Sequence, residues 1–117
     1  MKYLCLVYYD EARLDALSQS EHDALVSEAL AYDEELRTSG HYIVSDALQS
    51  VQTATTLRVR NGKVATIDGP FAETKEQLGG FILIDARDLN EAIRVASKIP
   101  PARLGCVEVR PVQELGG

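Results

Sequence analysis

Residues 2 to 9, Lys-Tyr-Leu-Cys-Leu-Val-Tyr-Tyr, are apolar at almost every position, and so are residues 78 to 84, Leu-Gly-Gly-Phe-Ile-Leu-Ile. Runs of that length read as strands covered on both faces. The Gly79-Gly80 pair inside the second run predicts a bulge or a close backbone approach. Asp10 to Gln19 breaks the pattern and reads as a loop with one short turn. From Ser20 the period becomes helical. Ser20 is placed as the N-cap, Glu21 and Asp23 favour the helix dipole, and Leu25, Ala29, Tyr32 and Leu36 form the inward stripe. Gly40 closes that helix.

An extended stretch, His41 to Gln49, leads into two strands, Thr55 to Arg60 and Lys63 to Asp68. Asn61-Gly62 between them is a strong hairpin signal, because both positions tolerate positive φ. A two-residue loop pairs Arg60 with Lys63 and Thr55 with Asp68. Leu57, Val59, Val64, Thr66 and Asp68 then share one face, and Arg58, Arg60 and Lys63 the other. Asp68-Gly69-Pro70-Phe71 is a sharp turn, and Ala72 to Gln77 is charged. Asp88-Leu89-Asn90-Glu91 opens a second helix as a capping box, with Leu89, Ala92, Ile93 and Ala96 inward, and Pro100-Pro101 ends it. The last strand, Cys106 to Val112, alternates Val107 and Val109 with Glu108 and Arg110.

The order β-α-β-β-β-α-β is an α+β, ferredoxin-like β-α-β-β-α-β plan with an extra strand or hairpin, an antiparallel sheet with two helices on one face. Two helices cover one face of such a sheet, yet two strands are apolar on both. A second copy packing sheet against sheet is the simplest cover, so an obligate homodimer through the sheet face is expected.

The chain has 117 residues, the size of one domain, expected to span residues 1 to 117. It is 45% hydrophobic and 26% charged, which excludes disordered and fibrous classes. No apolar run is long enough for a membrane span, and the N-terminus is too soon interrupted for a signal peptide. A cytoplasmic location is expected. Of the net charge of −6, residues 1 to 46 carry −7 (ten acids, three bases) and residues 47 to 117 carry +1 (eight acids, nine bases). An acidic surface disfavours nucleic acid and membrane alike. Cys5 and Cys106 have no metal or redox spacing; they read as apolar core thiols that meet only if the first and last strands meet.

Candidate chemistry centres on Asp68, which is either a partly buried general acid or base, or an Asx-type cap of the Gly-Pro turn. Glu73, Lys75 and Glu76 offer an acid–base pair and a cation for a small acidic or aromatic ligand, or else a solvated charge cluster or salt bridges across the dimer. His41, after Gly40, is either a complement to the helix C-terminus or a proton shuttle beside the sheet. His22 reads as a surface residue. Arg110 with Glu108 either lines a pocket, where the guanidinium clamps a carboxylate, or forms an edge-strand ion pair. The tyrosines Tyr3, Tyr8, Tyr9, Tyr32 and Tyr42 read as core or interface. No phosphate loop, zinc spacing or nucleophile elbow is present, and no cofactor is called for.

The run Asp68-Gly69-Pro70-Phe71-Ala72-Glu73-Thr74-Lys75-Glu76-Gln77-Leu78-Gly79-Gly80-Phe81 resembles the signature of the YCII-related, or DGPF-domain, family. So does Gly105-Cys106-Val107-Glu108-Val109-Arg110-Pro111-Val112, and the likeness extends over essentially the whole chain. The resemblance implies a dimeric α+β barrel whose biochemical role is mostly unassigned. Some members of the wider family are thought to be small-molecule lyases or isomerases that use a His–Asp pair, and related barrels bind haem. Here Ile99 precedes Pro100 where that aspartate would stand, and His22 falls earlier than the family histidine, so the pair is not carried over. Three readings remain, one of them a purely structural dimeric domain with no pocket chemistry. Another is a cofactor-independent enzyme of proton-transfer, isomerase or lyase type with its site between the sheet faces, Asp68 and His41 being the catalytic candidates and Glu73, Lys75 and Arg110 the substrate-binding ones. The third is a ligand-binding or regulatory module, since family members occur beside or fused to transcription initiation factors; its acidic first helix would dock a basic protein partner.

Overall fold

The computed structural model describes residues 1–116. Strand β1 (Lys2–Tyr9) is followed by a short helix α1 (Glu11–Asp15), the long helix α2 (Gln19–Ser39) and strand β2 (Tyr42–Ala47). A 3₁₀ turn (Val51–Thr53) leads into β3 (Thr55–Arg60) and β4 (Lys63–Asp68); then come β5 (Gln77–Asp85), α3 (Leu89–Ala96), a second 3₁₀ turn (Pro100–Leu104) and β6 (Gly105–Pro111). Four strands make one antiparallel sheet in the order β2-β5-β1-β6, and among the described residues β3 pairs only with β4. The four-stranded sheet with α2 and α3 is the ferredoxin-like plan, with α1 and the β3–β4 hairpin as additions.

The hairpin register is the expected one, Arg60 opposite Lys63 and Thr55 opposite Asp68. Asn61 and Gly62 both take positive φ, 53° and 76°, which lets the tight turn follow the strand twist. The glycine pair also behaves as expected. Val7 pairs with Gly80 and Tyr8 with Leu78, so Gly79 is the extra residue of a β-bulge. A Cβ on Gly79 would lie 2.1 Å from the ring of Tyr9, and one on Gly80 would lie 3.0 Å from the carbonyl oxygen of Asp46.

Three local expectations are corrected. The N-cap of α2 is Ser18, not Ser20: its hydroxyl accepts from the Glu21 N–H at 3.2 Å while the Glu21 carboxylate accepts from the Ser18 N–H at 2.9 Å. Glu21 is long enough to reach back over the turn, and this reciprocal pair fixes the start. In α3 the inward residues are Ala92, Val95 and Ala96, whereas Leu89 and Ile93 are exposed. The small side chains let the helix lie close on the sheet and leave the larger ones at its flank. Cys106 is exposed and not a core thiol. β1 and β6 do meet, but Tyr8 stands opposite Cys106 and Cys5 opposite Val109, so the two thiols are out of register and both are free.

The core lies between the sheet and its helices. Tyr3, Cys5 and Val7 from β1 and Ile82 and Ile84 from β5 pack with Tyr32, Leu36, Ala92, Val95 and Ile99. By strand alternation Leu4, Leu6 and Tyr8 turn to the other face, where Phe81, Leu83 and Leu78 stand opposite them. That face is half-buried and has no helix over it. The molecule measures 47 × 46 × 18 Å. Its thin dimension holds one sheet and one layer of helices, each helix about 10–12 Å across. Four strands about 4.8 Å apart are much narrower than the long dimensions. The hairpin therefore projects past the sheet within the slab. Among the described residues, no helix is long and apolar enough to cross a membrane.

Candidate functional site

The described surface includes two open clefts. One, of about 490 Å³, lies between α2 and the α3–β6 connection, against Glu28, Tyr32, Glu35, Lys98, Ile99 and Arg103. Much of its polar equipment already has a structural task. Arg103 forms an ion pair with Glu28, and the Tyr32 hydroxyl donates to the Val95 carbonyl at 2.6 Å. None of the candidate residues read from the sequence falls there.

The second cleft, of about 400 Å³, sits at the foot of the hairpin. Asp10 and Glu11 at the end of β1, the Val51–Gln52 turn, Gly69-Pro70, and Glu73 to Lys75 with Gln77 form its walls. Each wall has a local cause. Asp10 is the N-cap of α1, its carboxylate accepting from the Ala12 N–H at 3.0 Å. Glu11 reaches across and accepts from the Val51 N–H at 3.2 Å, tying the 3₁₀ turn to the start of α1. Gly69, at φ 103°, lets the chain leave β4 sharply; its N–H donates to the Ala54 carbonyl at 2.7 Å, and its own carbonyl accepts from the Thr56 hydroxyl at 2.8 Å. The Gln77 side-chain amide donates to the carbonyls of Ala72 and Thr74, and the Thr74 hydroxyl donates to the Glu76 carbonyl at 2.6 Å. The 72–77 loop is thereby held by its own side chains.

Against this scaffold, Glu73 and Lys75 stand apart. Both line the cleft, and among the described residues neither side chain has a hydrogen-bond or ion-pair partner. Asp68 immediately precedes the lining residue Gly69. It is exposed at the end of β4, and no described group hydrogen-bonds its carboxylate, neither burying it nor using it as an Asx-type cap. Glu76 is close to Cys106; burial first, then the Glu76 and Glu108 carboxylates, push that thiol's pKa up.

His41 and Arg110 are placed elsewhere. His41 follows the left-handed Gly40 at the C-terminus of α2, with Nδ1 2.7 Å from the Ser39 hydroxyl and Nε2 3.6 Å from the Glu91 carboxylate. Glu91 also accepts from the Arg87 N–H at 2.5 Å; that bond, with Arg87 and His41 nearby, draws its pKa below the ordinary value. The His41 carbonyl accepts from the Asp85 N–H, at the opposite end of β5 from Gln77. A nine-residue strand rises about 3.4 Å per residue, so His41 is on the order of 25 Å from the cleft. Arg110 lies on edge strand β6 in a 2.7 Å ion pair with Glu108, opposite Leu4 on the open sheet face. His22, half-buried on α2, is 4.0 Å from the Asp23 carboxylate. Asp10, Glu11 and Gln77 belong to the cleft and were not singled out by sequence; the capping role of Asp10 is locally visible, but the Glu11–Val51 contact spans 40 residues and has no local signal.

Among the described residues, no group of three His, Cys, Asp or Glu side chains is arranged to hold a metal ion. The cleft thus combines a fixed polar wall with one unengaged carboxylate and one unengaged ammonium. Such a pair can hold an acid by its charge and exchange a proton with it.

Comparison with known proteins assigns the chain as a whole. An uncharacterized protein of Rhizobium meliloti (strain 1021) is 38% identical over 114 residues, covering 96% of this chain and 92% of the relative. The family description of the YCII-related domain matches residues 1–116, which take in the Asp68–Phe81 segment, the cleft and the closing strand. The chain belongs to the YCII-related domain family.

Proposed function

We propose that this protein acts as a homodimer that binds a small carboxylic or phenolic acid in the cleft at the hairpin foot and moves a proton on it without a cofactor. The observation that carries this reading is that unengaged Glu73 and Lys75 line one cleft whose other charged walls are engaged in holding the fold. Lys75 supplies the charge that seats an anion. Glu73, with Asp68 at the adjoining turn, supplies a carboxylate for proton exchange, the step that isomerisation and elimination share. The homodimer rests on the open sheet face, where Leu4, Leu6, Phe81 and Leu83 have no cover from their own chain. A second copy buries that face without any further element.

The alternative, an acidic helix docking a basic protein, has less to stand on. On α2, Glu34 pairs with Arg37, Glu28 pairs with Arg103, and Asp33 accepts from the Ser45 hydroxyl at 3.1 Å. These internal contacts reduce the charge available to a partner.

A thermal-shift screen of small aliphatic and phenolic acids on wild type, Glu73→Gln and Lys75→Met tests the proposal. A ligand at 100 times its Kd stabilises the folded state by about 2.7 kcal/mol. Hits are expected on wild type, with both variants losing the response at unchanged ligand-free stability. Equal hits on all three proteins would remove the cleft from consideration.

A further inference from the structure

The β3–β4 hairpin is an apolar arm with nothing beneath it. Leu57, Val59 and Val64 share one side of it and are 58%, 53% and 63% exposed; Ile67, on the other side, is 58% exposed. Among the described residues both strands pair only with each other, so their outer edges are open. A two-stranded hairpin is marginal in water by itself, and an exposed apolar edge invites association. The arm's own chain provides no platform for this side, because the 18 Å slab holds only the sheet and its helices.

We propose that the hairpin is an exchanged arm: in the homodimer, its Leu57, Val59 and Val64 side lies on the open sheet face of the second copy. This inference rests on the homodimer reading above and names the element that completes that interface. Two surfaces of one chain each need an apolar counterpart, the arm and the Leu4, Leu6, Phe81, Leu83 face. A two-fold axis supplies both counterparts at once, since each copy gives an arm and receives one. The arm extends past the edge of its own sheet, so it is free to reach a second copy that meets the open face. Its six-residue strands reach about 20 Å, comparable to the width of a four-stranded sheet.

Charge favours the same occupant. Residues 55–68 carry Arg58, Arg60 and Lys63 against Asp68, a net of +2, which leaves −8 on the remainder of a chain whose total is −6. The arm of one copy is thus attracted to the body of another. Arg58, Arg60 and Lys63 lie on the side away from Leu57, Val59 and Val64, so packing the apolar side leaves the cations hydrated.

The test places the photo-crosslinking residue benzoylphenylalanine at Val59 of the full chain. Natural-abundance and ¹⁵N-labelled protein are unfolded, mixed and refolded together, and sedimentation reports the assembly before irradiation. Crosslinked peptide pairs of mixed isotope, joining residue 59 to β1, β5 or the facing residues of β2 and β6, are the expected result. Pairs of single isotope only, or a dimer with no crosslink to the sheet face, would overturn the arm while leaving the sheet-face dimer standing. A protein that sediments as a monomer would overturn both readings. As a second measurement, Leu57→Glu with Val64→Glu should weaken dimerisation at least tenfold; unchanged dimerisation would contradict arm exchange.

Discussion

The hydroxyl of Tyr32, buried on α2, donates to the carbonyl oxygen of Val95 on α3 across 2.6 Å and 63 residues of sequence. Tyr32 also packs its ring into the core formed by Tyr3, Cys5 and Ile84. One side chain therefore joins both helices to each other and to the sheet, holding together the layer that leaves the opposite sheet face open. Tyr32→Phe keeps the ring and removes the bond. The Val95 carbonyl retains the Lys98 N–H at 3.3 Å, so the loss should be close to that of one ordinary hydrogen bond, about 1 kcal/mol. Urea unfolding of the two proteins at neutral pH measures it.

Alkaline pH should weaken the fold through the same neighbourhood. Burial pushes the Cys5 thiol from 9.0 up to about 11, and burial, with the charges of Glu35 and Cys5 adding to it, pushes the Tyr32 hydroxyl from 10.0 up to about 12. For each group the unfolded chain releases its proton first. The stability these neutral groups lend is complete below the unfolded value, and falls between about pH 9 and 11 for Cys5 and between about pH 10 and 12 for Tyr32. The urea midpoint should decline as pH rises from 8 to 11, and less steeply for Cys5→Ala. A midpoint that is flat over that range would contradict the burial of both groups.

Among the described glycines, Gly105 leaves the least room beside main-chain atoms. A Cβ there would lie 2.0 Å from the Tyr8 carbonyl oxygen and 2.7 Å from the Tyr9 Cα, both main-chain atoms of the central strand. Gly105→Ala must move β6 away from β1 and should cost about 1–3 kcal/mol, the usual range for overpacking. Gly79→Ala meets the outer atoms of the Tyr9 ring instead, which can turn aside, so its cost should be smaller. Thermal denaturation of the two variants ranks them.

Asp68→Asn separates a functional carboxylate from a structural one. Asp68 is exposed, and no described group bonds to its side chain. The variant should unfold within about 0.5 kcal/mol of wild type, as an uninvolved surface substitution does. A loss of about 1 kcal/mol or more, the range for removing a capping side chain, would restore the turn-cap reading.

Much of the fold was legible because its signals are local. Asn61-Gly62 set the hairpin register, Gly40 ended α2, and the Gly79-Gly80 pair announced the bulge. Ser18 and Ser20 are harder to separate, since each precedes an acid by three residues; only the longer Glu21 side chain reaches back to close the capping box. The exposure of Leu89 and Ile93 follows from how closely Ala92 and Ala96 let α3 approach the sheet, a tertiary fact absent from an eight-residue pattern. At the candidate site, the charged run 73–76 was visible, but its division was not. Glu73 and Lys75 face the cleft, and Glu76 faces Cys106, because residues 69–77 fold back on Asp10, Glu11 and Val51 from far along the chain. His41 and Arg110 drew notice as lone functional residue types, and their distance from the cleft depends on strand order.

The most direct measurement is an amide ¹H–¹⁵N correlation spectrum of the wild-type protein titrated with succinate and with 4-hydroxybenzoate, as simple aliphatic and phenolic acids. Saturable shifts should concentrate at residues 10–11, 51–52 and 69–77, and should vanish in Lys75→Met. Saturable shifts confined to the groove of Lys98 and Arg103, or none with either acid, would contradict a small-acid site at the foot of the hairpin.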